Sequence, residues 1–273
     1  MELVIFDLDG TLLNQDSQIS AFTRETLHLM QERDIAYTVA TGRTLDSAHS
    51  IIAEHGFRLP HIYSNGVLIW DPASNQMRLD HCLTVNEVHD ILATSELQQI
   101  TPFISAVDSQ HQLWMFHPNL HNDTEKRLLN AFEERPHTQV RPLAQMPEDI
   151  AVTNVSMIGP GDIVASMHQF VNDSTHLIAY SGPALEGNGL KWMDIHHRNA
   201  NKGSAVETLK QELGASRIIC FGDSDNDLSM FTMADESYAP DNAHAPLKAA
   251  ATAVIGHHHE DGVAHYLRER FEL

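Results

Sequence analysis

The apolar run Leu3-Val4-Ile5-Phe6, followed at once by Asp7-Leu8-Asp9-Gly10-Thr11-Leu12-Leu13, limits most strongly what this chain can fold into. Four consecutive apolar residues read as a strand buried in a parallel sheet. Alternation at period two puts Asp7 and Asp9 on one side of the extended backbone, with Leu8 on the other, and Gly10 lets the chain turn sharply out of the sheet. At about 4 Å and an effective dielectric of roughly 20, two carboxylates repel by about 4 kcal/mol. One of them then holds a proton, or a cation sits between them. The alternative is a solvated turn, because Asp and Gly are common turn residues.

The chain has 273 residues, enough for one large domain or two smaller ones. A formal net charge of -20 disfavours nucleic acid or an anionic membrane as partner, since counterion release needs clustered Lys and Arg. A small phosphate ester stays compatible if a cation or a local Lys or Arg screens the site. Cys82 and Cys220 are the only cysteines, too few for a disulfide framework, so a reducing, cytoplasmic compartment is expected. The first strand begins too early for a signal peptide, and no apolar run reaches the length of a membrane span. His257-His258-His259 has no Cys nearby and poor spacing for a rigid metal site, so it reads as a loop.

In chain order, Ser20 is placed to cap a helix running to about Arg33. A strand over Ile35–Ala40 ends in Thr41-Gly42-Arg43, a helix covers Leu45–Glu54, and a strand at His61–Tyr63 leads into Ser64-Asn65-Gly66. A hairpin about Asp71–Asn75 follows. This rhythm predicts a parallel sheet with helices on both faces. The middle reads differently. Helices near 86–94, 122–132 and 163–170, strands near 103–106, 113–116, 154–158 and 176–181, and several Pro-bearing loops predict an inserted α+β domain with an antiparallel sheet. We place it at 83–189, as a lid that selects substrate, inside a core made of 1–82 and 190–273. The α/β rhythm resumes with a strand at Trp192–Ile195, a polar loop over 196–201, a helix over Lys202–Leu213 and a strand at Arg217–Phe221. Gly222-Asp223-Ser224-Asp225-Asn226-Asp227 lies at the carboxyl end of that strand, where open α/β sheets bind ligands.

Sorted by charge, Asp7, Asp9 and Asp223 are hard oxygen ligands of the kind Mg²⁺ accepts. Thr41, the Gly42 N–H, Lys202 and Asn226 are donors, and Lys202 opens a helix where free N–H groups also favour an anion. This set suits phosphoryl transfer. Asp7 can attack phosphorus, and Asp9 can protonate the leaving oxygen and then activate water. Each piece has a plainer reading. Thr41-Gly42-Arg43 can be a strand end, Lys202-Gly203 a solvated helix start, and the acidic run a capped helix, although three carboxylates in five residues exceed what capping needs.

Together, Asp7-Leu8-Asp9-Gly10-Thr11-Leu12, Thr41-Gly42-Arg43, Lys202-Gly203 and Gly222-Asp223-Ser224-Asp225-Asn226-Asp227 resemble the four motifs of the haloacid dehalogenase superfamily. The insertion between the second and third motifs, Asn65-Gly66 and the tail Glu260-Asp261-Gly262-Val263-Ala264 resemble its Cof-type branch. The resemblance implies a Rossmann-like α/β core, an α+β cap and a Mg²⁺-dependent phosphatase. It implies Asp7 as nucleophile and Asp9 as acid/base. It implies Mg²⁺ on the Asp7 side chain, the Asp9 carbonyl and the Asp223 side chain, with Asp227 in support. Phosphate would be held by the Leu8 N–H, Thr41, Gly42, Lys202 and Asn226. The substrate would be a small phosphorylated metabolite: a sugar phosphate, pyridoxal phosphate, a nucleotide or a thiamin-precursor phosphate. Arg43 and Asn65 are candidate substrate contacts, and Trp114 and His117 are weighed against a core role. The branch usually has Met-Gly before Asn-Ala; here Pro240-Asp241 precedes Asn242-Ala243, replacing a permissive glycine and adding a negative charge. A sugar phosphomutase and a receiver-like phospho-accepting module are the competing readings; the latter uses one central Asp on a shorter chain without a cap. The oligomeric state is open.

Overall fold

The computed structural model describes residues 1–184, 187 and 189–273. The chain begins with β1 (Glu2–Phe6), a one-turn helical segment (Leu8–Leu12), α1 (Ala21–Glu32), β2 (Ala36–Val39) and α2 (Leu45–Ile52). Next come β3 (His61–Tyr63), β4 (Leu68–Asp71), β5 (Gln76–Leu79), α3 (Val85–Gln98), β6 (Phe103–Val107), β7 (Leu113–His117), α4 (Asp123–Glu133) and β8 (Thr138–Pro142). Then follow β9 (Ala151–Pro160), α5 (Gly161–Asp173), β10 (Leu177–Pro183), β11 (Leu190–His197), α6 (Lys202–Leu213) and β12 (Arg217–Phe221). The last elements are α7 (Leu228–Met233), β13 (Glu236–Pro240), α8 (Ala245–Ala250), β14 (Ala253–Ile255) and α9 (Gly262–Phe271). They group into two compact units, Met1–Arg78 with Asn201–Leu273, and Leu79–Ala200.

The first unit carries a parallel sheet in the order β14-β13-β12-β1-β2. Its strands are short apolar runs because both faces are covered. On one face Leu3, Ile5, Ile218, Cys220 and Ala239 pack with Val206 and Leu209 of α6, Met230 of α7 and Leu247 of α8. On the other, the rings of Phe6, Phe221 and Tyr238 run to Tyr266 of α9, with centroids 5.4, 5.4 and 4.3 Å apart in turn. Helix α1 starts where Ser20 accepts from the Thr23 N–H at 2.9 Å, and the same hydroxyl donates to Asp261 just before α9. A three-stranded sheet, β3-β4-β5, contains the expected hairpin, whose Asp71 carboxylate accepts from the Ala73 N–H.

The second unit is a six-stranded sheet in the order β10-β11-β9-β6-β7-β8, antiparallel except where β8 runs parallel to β7. Val88 and Ile91 of α3, with Val164 and Met167 of α5, cover one face through Ile104, Val155, Met193 and Ile195. The chain is therefore an α/β protein with a parallel sheet and a separate antiparallel one.

Two readings of the sequence need correction. The strand at Trp192–Ile195 does not return to the parallel sheet: β11 pairs antiparallel with β9 and β10, includes His196 and His197, and belongs to the second unit, which runs to Ala200. Its pattern agrees over Trp192–Ile195, where Met193 and Ile195 are buried while Trp192 is exposed and Asp194 half-buried, the alternation of a strand with one covered face. Strand β8 went unread because it is an edge strand bearing only half-buried and exposed residues.

On β11 the half-buried Asp194 accepts a hydrogen bond from Ser156 Oγ, and burial pushes its carboxyl up to about 6. The folded chain thus keeps a proton that the unfolded chain gives up near pH 4, so stability falls as pH rises from about 4 to about 6. Asp194→Asn removes that slope. Its melting temperature should exceed the wild type at pH 7 by an amount worth up to about 2 kcal/mol and match it at pH 4, as read by thermal unfolding at both values.

Candidate active site

Four segments meet at the carboxyl ends of the parallel strands. Asp7 follows β1, Thr41-Gly42 follows β2, Asn65 follows β3 and Gly222-Asp223 follows β12. The Asp7 N–H donates to the Phe221 carbonyl at 2.9 Å, which keeps β1 and β12 in step up to the point where the carboxylates begin. Gly10 then turns the chain at φ +72°, and a Cβ there would lie 2.3 Å from Asp223 Oδ2. Only glycine accommodates both the angle and that approach.

The centre of the site is Lys202, at the first position of α6 and 0% exposed. Its Nζ donates to Asp7 Oδ1 at 2.5 Å and to Asp227 Oδ1 at 2.6 Å. Asp227 is equally buried, and its other oxygen accepts from the Asp223 and Ser224 N–H groups at 2.9 and 3.0 Å, which fixes the acidic turn. Helix α6 is held in place by close backbone approaches. A Cβ on Gly203 would meet the Ser229 carbonyl at 2.4 Å, and one on Gly66 would meet the Asn201 carbonyl at 2.4 Å.

Ligand oxygens of Asp7, Asp223 and Asp227 lie within 4.8 Å of one another. Three carboxylates against one ammonium leave two negative charges uncompensated. Burial, and then the neighbouring Asp227, push Asp223 up to about 7, and burial raises Asp7 despite Lys202. Burial works against the charge of Lys202, but Asp227 and Asp7 outweigh it and hold the lysine above its ordinary value. A divalent cation would supply the missing charge, and hard oxygen donors in this number fit Mg²⁺.

Donors gather beside the acids. Asn226 Nδ2 donates to Asn65 Oδ1 at 2.9 Å, and both amides lie close to Gly42. Thr41 is buried, its N–H bound to the Ile62 carbonyl, and Leu8 is fully buried. Asp9 departs from the geometry read off the sequence. The strand ends at Phe6 and the chain coils through Leu8–Leu12, so Asp9, though itself at φ -72° and ψ 129°, is turned to solvent, where Arg43 grips both of its oxygens at 2.6 and 2.5 Å. Its charge is therefore balanced by Arg43.

The sequence reading also left Asn242 without a role. Its amide donates to the Gly10 carbonyl at 2.8 Å and accepts from the His258 N–H at 3.2 Å, so the loop with the unusual Pro240-Asp241 still holds the first motif. Lys248 binds the Asp241 carboxylate at 3.0 Å and offsets the added charge. Trp114 donates to Asp108 at 2.9 Å and packs against the core of the second unit.

The family model for haloacid dehalogenase-like hydrolases matches residues 4–267. The chain belongs to that family. Among its relatives, an HMP-PP phosphatase of Serratia proteamaculans is 27% identical, over 97% of this chain and 94% of its own. The 5-amino-6-(5-phospho-D-ribitylamino)uracil phosphatase YitU of Bacillus subtilis is 25% identical, over 99% and 98%. A haloacid dehalogenase-like hydrolase of Bacteroides thetaiotaomicron, known as a crystal structure, shares the fold with a TM-score of 0.78 at 23% identity, over 99% of both chains. No described helix of this hydrolase is long and apolar enough to cross a membrane.

Removing the ammonium strands two buried carboxylates. Lys202→Met should lose about 3–5 kcal/mol of stability in urea unfolding, far more than a surface lysine would.

Proposed function

We propose that this chain is a Mg²⁺-dependent phosphomonoesterase that hydrolyses a small phosphorylated metabolite through an aspartyl-phosphate on Asp7. The observation that carries this reading is the Lys202 contact: Nζ engages Asp7 Oδ1 and leaves Oδ2 to attack. Attack forms the bond from Oδ2 to phosphorus and breaks the bond from phosphorus to the leaving oxygen. Asp9 protonates that oxygen and then takes a proton from the water that hydrolyses the acyl phosphate. To do so Asp9 must leave the Arg43 fork and take up a proton from solvent; an incoming phosphate competing for Arg43 gives it reason to leave. The Leu8 N–H, Thr41, Gly42, Lys202 and Asn226 are assigned to the phosphate oxygens, with Arg43 and Asn65 at their edge.

The cation is assigned to the Asp7 and Asp223 side chains and the Asp9 carbonyl, with Asp227 holding the acidic turn and Lys202. When bound, it supplies positive charge for the phosphoryl group in the transition state. Relatives named as phosphatases of different metabolites support the reaction class and leave the leaving group to this chain's own residues. Every segment assigned to phosphate lies in the first unit; selection of the leaving group by the inserted unit is part of this proposal. A reducing, cytoplasmic setting is part of the same proposal.

Asp7→Asn should lower turnover of p-nitrophenyl phosphate with Mg²⁺ by at least about a thousandfold, whereas retained turnover ends the proposal. Chelation should abolish wild-type turnover and added Mg²⁺ restore it, as followed by p-nitrophenolate release. A panel of phosphorylated metabolites ranked by kcat/KM would then identify the substrate.

A further inference from the structure

A second group of metal-binding side chains lies in the Leu79–Ala200 unit, apart from the acids around Asp7. Glu87 sits in the first turn of α3, His176 just before β10 and His197 at the end of β11. Three separate segments thus bring one carboxylate and two imidazoles together, with ligand atoms all within 4.8 Å of one another. Glu87 is already fixed. One of its oxygens accepts from the Thr84 N–H and hydroxyl at 2.7 and 2.9 Å, capping α3, while the other lies 3.8 Å from His197 Nε2. Their side chains are only 14% and 15% exposed. His81 and His176 both stack on His197, at 5.6 and 6.4 Å between centroids and 12° and 25° between planes, which limits how that ring can turn.

We propose that Glu87, His176 and His197 form a transition-metal site suited to Zn²⁺. Imidazole is a borderline donor that Zn²⁺ accepts alongside a carboxylate, whereas Mg²⁺ prefers oxygen alone. Tetrahedral bonds of about 2.0 Å separate ligand atoms by about 3.3 Å, so the group, now within 4.8 Å, closes by up to about 1.5 Å, and the exposed His176 is free to supply that movement. The His197 Nδ1 accepts from the Asn199 N–H at 3.2 Å, so the neutral ring carries its proton on Nε2. Coordination through Nε2 moves that proton to Nδ1 and gives up this long bond. A bound ion would join the segment that opens the unit to the strand that closes it.

The test is calorimetric titration of the intact protein with Zn²⁺ in excess Mg²⁺. The proposal expects one binding event whose affinity falls by at least about tenfold in His176→Ala and in His197→Ala. Glu87→Gln should weaken it too while still capping α3, so that melting without Zn²⁺ is unchanged. The event should survive in Asp223→Asn and in His258→Ala, which remove the acidic site and the histidine triplet as its source. Zn²⁺ should raise the melting temperature of the wild type and not of His176→Ala. Binding unchanged in folded His176→Ala and His197→Ala, or lost only in Asp223→Asn or His258→Ala, would overturn it.

Discussion

One buried ammonium organises the core. Lys202 can lie fully out of water only because Asp7 and Asp227 both accept from it, and they can stay buried only because it is there. An isolated buried charge costs far more than a fold of this size can spare, so the three groups stand or fall together. The arrangement brings the ends of β1 and β12 and the start of α6 into one place. It also leaves the acid cluster short of positive charge, the condition under which a divalent ion is most useful.

The consequences spread through the neighbouring loops. The Asp227 oxygen not used by Lys202 fixes the backbone of Asp223 and Ser224, and His244 closes the same turn by donating its N–H to the Asp223 carbonyl at 2.8 Å. Asn242 reaches from the adjoining loop to the Gly10 carbonyl. The carboxylates therefore sit on a framework of hydrogen bonds in which Asp227 itself takes part, which is how a site holds several like charges without spreading apart.

Much of this was legible in the sequence. β1, β3, β12 and α6 could be bounded in the sequence, because local pattern and burial agree there. Asp7, Thr41 and Asp223 stand out as candidates because each lies just past an apolar run, and Lys202 because it opens a helix. The sequence could not reveal partners far apart in the chain. Nothing near Asp9 announces that Arg43 will take both of its oxygens, and nothing near Lys202 announces Asp7, 195 positions away. Strand β11 was misplaced for a related reason: a half-buried strand fits either sheet, and only its neighbours β9 and β10 decide which.

The strand order carries a consequence for synthesis on the ribosome. β1 is made before β2 and long before β12, yet it lies between them, paired with Arg217–Phe221. The unit at Leu79–Ala200 is continuous and can fold as soon as it emerges. The amino-terminal half-sheet must wait through that interval with an apolar edge unpaired, so nascent chains stalled before β12 are the ones a chaperone would have to guard.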